Sequence, residues 1–268
     1  MITPSPNQPA EPSLELSVVA PAHNEEENVA ELVRQIGAAI EPLGIAWEFI
    51  LVDDASTDET TAKAVELQPG RPWLRVITLA RPSAGAGNGQ SVAFKIGFNA
   101  ARGRLVAVLD ADLQNDPADY PAMLQKLAET GADFVQGDRS RARNDNWARK
   151  QTSRIGRWFR RLILGDTIRD TGCSLRVMKR EIAVRLPLEF KGLHRFIPAT
   201  ARHMGYTVVE MPVNHRARHA GVAKYGNLGI TKRAIPGLVD CFAVRYMRKR
   251  RRWAQASEQP VATESTDS

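Results

Sequence analysis

Cysteine is nearly absent from the 268 residues: Cys173 and Cys241 stand far apart, with no histidines near them in metal spacing. The chain therefore has neither a disulfide framework nor a zinc site, and both thiols read as reduced packing residues. No run of about 18 apolar residues occurs, which excludes a membrane-spanning helix. Aromatic residues make up 6%, and only Trp147, Trp158 and Phe159 are interleaved with arginines, so the stacking platform of a nucleic-acid binder is missing. The loop around Gly85, Gly87 and Gly89 lacks the Gly-Lys-Ser/Thr of a Walker motif, and no G-x-G-x-x-G opens the first helix. ATPase and dinucleotide-dependent oxidoreductase readings fall accordingly. Residues 1–13 hold four prolines and no basic-apolar signal pattern, which predicts a disordered leader on a cytoplasmic protein.

What is present is a large apolar fraction, 43%, enough for a full core, and an uneven charge. The stretch 139–161 has nine Arg/Lys against Asp145 alone, and 245–252 has six against none. Removing these patches (+8 and +6) from the net +7 leaves −7 for the rest. An acidic body with two basic patches implies an anionic partner: phosphate groups, an anionic membrane surface or nucleic acid.

Apolar runs alternate with helical patterns. Residues 14–20 read as a buried strand that turns at Pro21-Ala22-His23-Asn24-Glu25 into a helix, capped by Asn24, with Val29, Leu32, Val33, Ile36 and Ile40 on one face. Strands are predicted at 47–52, 74–79, 106–109 and 133–135, and helices at 59–67, 90–101 and 118–129, the last capped by Asp116. This is the signature of a doubly wound, mostly parallel sheet. Helices at 147–164 and 193–204 come next, then a strand at 206–213 suited to the sheet edge and a polar basic loop at 214–226. Pro236 starts a last helix, whose Leu238, Val239, Phe242, Ala243 and Tyr246 form an apolar stripe before the second basic cluster. That composition is that of an interfacial membrane helix, with docking of the stripe on the domain as the competing reading. Residues 254–268 read as a disordered tail.

Three strands of the predicted sheet end in acids: Glu25 after the first, Asp53 and Asp54 after the second, Asp110 and Asp112 after the fourth. In a parallel sheet these exits are neighbours, so the acids converge on one crevice. Acids on the first strands suit a base and ribose. Asp110 and Asp112, with Gln114 as a further oxygen ligand, suit a hard cation bridging two phosphates.

These motifs resemble family 2 of the glycosyltransferases, in its polyprenyl-phosphate (dolichol-phosphate mannosyltransferase-like) branch. The matching pieces are residues 21–25, 52–58, 88–91, 110–114 and 137–139, Arg149 with Ser153, residues 170–176, and 215–218 with Gly221, Lys224 and Tyr225. They run in family order over roughly residues 14–226. The resemblance implies an α/β, nucleotide-diphospho-sugar transferase (GT-A, Rossmann-like) fold. It implies one catalytic domain over 14–235, then a basic amphipathic helix at 236–253 and the tail at 254–268. Pro21, Ala22, His23, Asn24, Glu25, Asp53 and Asp54 are then expected at the nucleotide. Asp110, Asp112 and Gln114 are expected to hold Mg²⁺ or Mn²⁺ on the diphosphate, and Arg139, Arg149, Ser153, Arg218 and Lys224 the lipid phosphate. Asp110, Asp112 and Arg139 form the expected catalytic set. Two departures stand out: Ala223 where the family commonly has Ser, and Arg104 where it usually has an acid.

The acceptor is also addressed by the sequence. A sugar hydroxyl needs a general base, in saccharide-directed relatives an acid at the head of a late helix, and the segment 192–196 has none. A phosphate monoester has a second pKa of about 6, so it is already a dianion near neutral pH and needs cations instead. The expectation is an inverting, metal-dependent transfer of a hexose from a nucleotide-diphospho-sugar to polyprenyl phosphate. The enzyme would be peripheral at the cytoplasmic face of an anionic membrane, with room for a separate membrane-embedded partner and with no nucleic-acid partner. The alternatives are transfer to a saccharide hydroxyl and a non-catalytic nucleotide- or RNA-binding protein. Sugar and base depend on pocket shape and are not legible.

Overall fold

The computed structural model describes residues 14–83, 87–140, 147–216 and 229–252, with the backbone alone over 147–155 and 229–235. Among these residues seven strands form one sheet: β1 (Leu16–Ala22), β2 (Trp47–Asp53), β3 (Leu74–Thr78), β4 (Leu105–Val108), β5 (Phe134–Asp138), β6 (Arg176–Lys179) and β7 (Val208–Pro212). Their spatial order is β3-β2-β1-β4-β6-β5-β7. All neighbours pair in parallel except β6, which runs antiparallel to both β4 and β5. Among the described residues eight α-helices accompany them: α1 (Val29–Ile40), α2 (Thr60–Glu66), α3 (Gln90–Ala100), α4 (Tyr120–Thr130), α5 (Trp147–Leu164), α6 (Arg180–Arg185), α7 (Ile197–His203) and α8 (Gly229–Arg250).

The strands are apolar on both faces because the sheet is covered on both. Leu16, Val18, Ala20, Phe49, Leu51, Ala107 and Leu109 pack toward α1 and α4. Val19, Ile50, Val52, Val106 and Val108 alternate to the other face, toward Phe94 and Phe98 of α3 and Ile197 of α7. Full burial of each such side chain contributes about 1.5–3 kcal/mol. Gly97 of α3 lies so close to the sheet that a β-carbon there would come within 2.4 Å of Val19 Cγ1.

Several expectations are corrected. The strand β6 and helix α6 are absent from the sequence pattern: Arg176 and Lys179 break the apolar run of a four-residue strand. The 193–204 segment divides into a 3-10 turn, Leu193–Phe196, and α7, with Pro198 in the first turn of the latter. Asn24 does not cap α1, whose N-cap position is Asn28. Asp116 does accept from Ala118 N at 3.0 Å, as expected of a cap. Finally, α8 begins at Gly229 and Pro236 lies inside it. Residues 229–235 carry no apolar periodicity, so the sequence pattern becomes visible only after the proline.

The apolar stripe of α8 is also not the face that docks. Cys241 and Val244 are buried and Met247 packs beside them, whereas Val239, Phe242 and Tyr246 are 61–62% exposed. Arg245 donates to Ile163 O at 2.9 Å and Arg248 to Leu164 O at 3.2 Å, so basic side chains of α8 meet carbonyls at the C-terminal end of α5. On α5, Trp158 and Leu162 are exposed while Ile163 and Leu164 are buried. Among the described residues no helix is long and apolar enough to cross a membrane.

Candidate active site

The C-terminal ends of β1, β2 and β4 lie side by side, as parallel pairing requires. The segments leaving them contain the three non-glycine residues with positive φ among the described residues: Asn24 (55°), Ala55 (55°) and Leu113 (59°). Left-handed backbone at a bulky residue costs free energy and clusters at functional sites. Each is adjacent in the chain to an acid: Glu25, Asp54 and Asp112.

On the first two exits the groups are locked to one another. Asn24 N donates to Ser56 Oγ at 2.9 Å, and Asn24 Oδ1 accepts from Thr57 N at 2.8 Å. Asp53, 1% exposed, accepts from Ser56 N at 3.2 Å, from the Ser56 hydroxyl, and from Thr61 Oγ1 at 2.7 Å. Its carboxylate thus holds the turn. Glu25 accepts from Asn28 Nδ2 at 2.7 Å. His23 Nδ1 lies 2.7 Å from Asp54 O, which can only accept, so this nitrogen carries the proton. Asp54 receives Asn88 N and Gly89 N at 2.7 Å each, pinning the Gly-rich loop against the β2 exit. The closeness requires glycine at 87, where a β-carbon would lie 2.8 Å from Asp54 O.

At the β4 exit, Asp110 accepts from Gln90 Nε2 at 2.6 Å and also from Ser174. Burial, and next the charge of Asp112, push its carboxyl up to about 6, against the opposing pull of Ser174, Arg176 and Arg139. Asp112 accepts from Gln114 N at 3.2 Å. The Gln114 side-chain amide has no hydrogen bond among the described residues and is partly exposed. Two carboxylates that repel one another and a neighbouring amide oxygen fit a hard divalent cation. Among the described residues no three His, Cys, Asp or Glu side chains cluster in metal spacing, so the remaining ligands would be phosphate and water.

The basic side is built by β5, α5 and the segment entering β6. Arg139, just after β5, grips Asp170 through Nε at 2.8 Å and Nη2 at 3.2 Å, and its own N–H adds a third bond at 3.2 Å. Burial works against its charge, but Asp170 outweighs it and raises the guanidinium above its ordinary value. Arg176, 2% exposed, donates to Gln136 Oε1 and Thr171 O; burial brings its guanidinium down to about 10. Arg160 of α5 reaches the Thr171 hydroxyl and Ile168 O, tying the helix to the same segment. Arg149 and Ser153 lie on α5 where only the backbone is described. Arg218, Lys224 and Ala223 lie outside the described residues. Arg104 pairs with Glu15 beside the start of β4, at the opposite end of the strand from the crevice.

Sequence reasoning missed Gln90, Asp170, Ser174, Arg176 and His194 as neighbours of this site. Ser91 Oγ meets His194 Nδ1 at 2.9 Å, and burial, with Arg195 and Arg176 behind it, brings the imidazole down to about 3. Their proximity depends on the fold, although most of them fall within the motifs at 88–91 and 170–176.

A seven-stranded sheet in this order, with acids at neighbouring strand exits, is the GT-A architecture of nucleotide-sugar-dependent transferases. The model of "Glycosyl transferase family 2" matches residues 17–186, and the chain belongs to that family of glycosyltransferases. It is 39% identical over 245 residues to a dodecaprenyl-phosphate galacturonate synthase of Rhizobium johnstonii, covering 90% of this chain and 70% of that protein. It is 33% identical over 233 residues to an undecaprenyl-phosphate 4-deoxy-4-formamido-L-arabinose transferase of Edwardsiella ictaluri, covering 87% and 69%. Among solved structures, glucosyl-3-phosphoglycerate synthase of Mycobacterium tuberculosis with phosphoglyceric acid superposes with a TM-score of 0.63 at 23% identity, covering 85% of this chain and 80% of that one. The mannosyltransferase PcManGT of Pyrobaculum calidifontis, bound to GDP-Man and Mn²⁺, gives 0.62 at 20% identity, covering 93% and 68%. At these identities the structures establish the fold.

Proposed function

We propose that this glycosyltransferase moves a hexose from a nucleotide-diphospho-sugar to the phosphate of a polyprenyl lipid, with inversion, at the cytoplasmic face of a membrane. The observation that carries the reading is that Arg176 and Arg139, the latter clamped by Asp170, act on Asp110 from the β5–β6 side; we take this basic wall as the acceptor side, since it offers cations for a phosphate. His194 stands in the 3-10 turn that precedes α7 and would have to supply a general base, but an imidazole brought down to about 3 is a weak one. A lipid phosphate dianion needs orientation and charge balance, which arginines supply. The activities for which both relatives are named, on polyprenyl phosphates, support this acceptor.

In this reading Pro21, Ala22, His23, Asn24 and Glu25 form the nucleotide wall, and Asp53 and Asp54 hold its turn and the Gly-rich loop in place. Asp110, Asp112 and Gln114 would hold Mg²⁺ or Mn²⁺, which when bound supplies Lewis-acid stabilisation to the departing diphosphate. Arg139, with Arg149, Ser153, Arg218 and Lys224, would orient the attacking phosphate opposite that leaving group, and direct displacement then inverts the anomeric centre. The exposed face of α8 and the exposed basic residues at its end, Lys249, Arg250 and Arg252, would seat the enzyme on an anionic membrane, while Arg245, Arg248 and Arg251 bond the domain itself.

The test is incubation of the purified protein with a panel of labelled nucleotide sugars, polyprenyl phosphate and Mg²⁺ or Mn²⁺. A labelled, acid-labile lipid product of inverted configuration is expected. Label appearing only in soluble saccharide, or transfer that survives Asp112→Ala, would sink the acceptor or the metal assignment respectively.

A further inference from the structure

Asp110 stands at the β4 exit, and its orientation is set by a side chain from a different element. Gln90 Nε2 donates to Asp110 Oδ1 at 2.6 Å. Only the nitrogen end of an amide can face a carboxylate oxygen, which fixes how Gln90 is turned. Gln90 is the first residue of α3, and its backbone is held from both sides. Upstream, Asn88 N and Gly89 N are bound by Asp54, and Asn88 Nδ2 donates to Ala80 O at 2.9 Å. Gly89, with φ 97°, makes the turn into the helix. Downstream, Ser91 is 2% exposed and its hydroxyl meets His194 Nδ1 at 2.9 Å and His194 N at 3.3 Å. A side chain carried on so constrained a backbone holds its partner at a fixed angle.

We propose that Gln90 is a positioning residue for the cation site: by occupying one oxygen of Asp110 it presents the other, together with Asp112 and Gln114, to the divalent ion. The inference rests on the metal reading proposed for Asp110, Asp112 and Gln114. The second donor, Ser174, accepts from Asn115 Nδ2 at 2.7 Å, which leaves its own proton for Asp110. Both donors are neutral. They orient the carboxylate without neutralising it, whereas a lysine in their place would compete with the cation for its charge. Outer contacts of this kind are worth about ten- to a hundredfold in metal affinity.

The test compares the wild-type chain with Gln90→Leu and Gln90→Met, which keep the length of the stem and remove the donor. Mn²⁺ and Mg²⁺ are titrated at fixed UDP or GDP, with the melting temperature as readout, and in the transfer assay kcat and donor KM are read at each metal concentration. The expected result is an unchanged metal-free melting temperature, a metal midpoint raised about ten- to a hundredfold in both variants, and recovery of most of kcat at saturating metal. If nucleoside diphosphate stabilises the wild type in a metal-dependent way and both variants share its midpoint, the inference on Gln90 is overturned and the proposed function stands. A fall in kcat with an unmoved midpoint overturns it equally. Absence of any metal-dependent stabilisation in the wild type overturns the metal reading and this inference together.

Discussion

Arg139 and Asp170 form a two-point ion pair, Nε to Oδ2 at 2.8 Å and Nη2 to Oδ1 at 3.2 Å, with both side chains about 10% exposed. The pair spends the flat edge of the guanidinium on the protein, so the arginine arrives at the crevice already oriented. Breaking such a pair from one side leaves the other charge buried and unmatched.

Asp170→Asn is therefore expected to lower kcat/KM for the lipid phosphate by about ten- to a hundredfold, the scale of one lost charge-assisted bond of roughly 1.5–3 kcal/mol. Donor KM should move little. Arg139→Lys should resemble it, because an ammonium cannot grip both oxygens. Steady-state kinetics with each substrate varied separately decide the matter; equal losses toward donor and acceptor would refute the assignment.

Acid should destabilise the fold through two groups. His194 is brought down to about 3 from an ordinary 6.5, so between these values the unfolded chain takes up a proton that the folded one refuses, and stability falls as pH falls through that window. Glu48 is opposed by burial, but hydrogen bonds from Ser17, Arg102 and Arg75 hold its carboxyl below the ordinary value. Its contribution is complete above that value and is lost as pH drops through the depressed one. Asp110, whose carboxyl is pushed up to about 6, works the other way over this window, so the test is the difference between variant and wild type. Between pH 7 and 4 the loss of stability due to His194 should be absent from His194→Asn, which keeps a hydrogen-bonding group without titrating, and its urea midpoints should fall less than those of wild type.

Two single-residue changes test the crevice backbone in opposite directions. Ala55→Gly relieves a left-handed alanine, φ 55°, and should stabilise by about 0.5–1 kcal/mol. Gly87→Ala places a carbon 2.8 Å from both Asp54 O and Oδ2 and should destabilise by about 1–3 kcal/mol while weakening nucleotide binding. Thermal melts with and without nucleoside diphosphate separate the two effects.

Replacing Val239, Phe242 and Tyr246 together by serine removes the exposed apolar face of α8 while leaving its docked side, Cys241 and Val244, intact. Recovery with anionic vesicles should fall by more than about tenfold without a change in melting temperature. The binding that remains should be abolished by salt, since it rests on the arginines. Unchanged recovery across a salt series would remove α8 from the proposed membrane contact.

The part of this molecule that periodicity describes is legible in the residues alone. The parallel strands β1 to β4 are apolar runs, three of them (β1, β2 and β4) followed by acids, and α1, α3 and α5 have helical spacing, so the convergence of Glu25, Asp54, Asp110 and Asp112 can be read directly. The illegible parts have specific causes. Strand β6 is four residues with arginine at one end and lysine at the other, and its pairing is decided by β4 and β5, not by itself. The stripe on α8 is visible in the sequence, but which way it faces depends on Cys241 and Val244 finding α5 and the core. Asp53 looks like a ligand because it sits beside Asp54, yet its oxygens are engaged by Ser56 and Thr61. Left-handed Ala55 and Leu113 give no signal at all, since neither residue type advertises that conformation.

The reversed direction of β6 divides ownership of the crevice. Strands β1, β2 and β4 contribute the residues beyond their C-terminal ends, whereas β6 contributes its own first residue, Arg176, and the segment ahead of it that carries Asp170 and Ser174. In the proposed reading the donor wall draws on residues 21–114 and the acceptor wall on residues 139–176 together with Arg218 and Lys224, with the Asp110–Ser174 contact as a seam between them. Under that reading, a change confined to the later stretch would alter the acceptor side while leaving the cation site in place, provided that seam is kept.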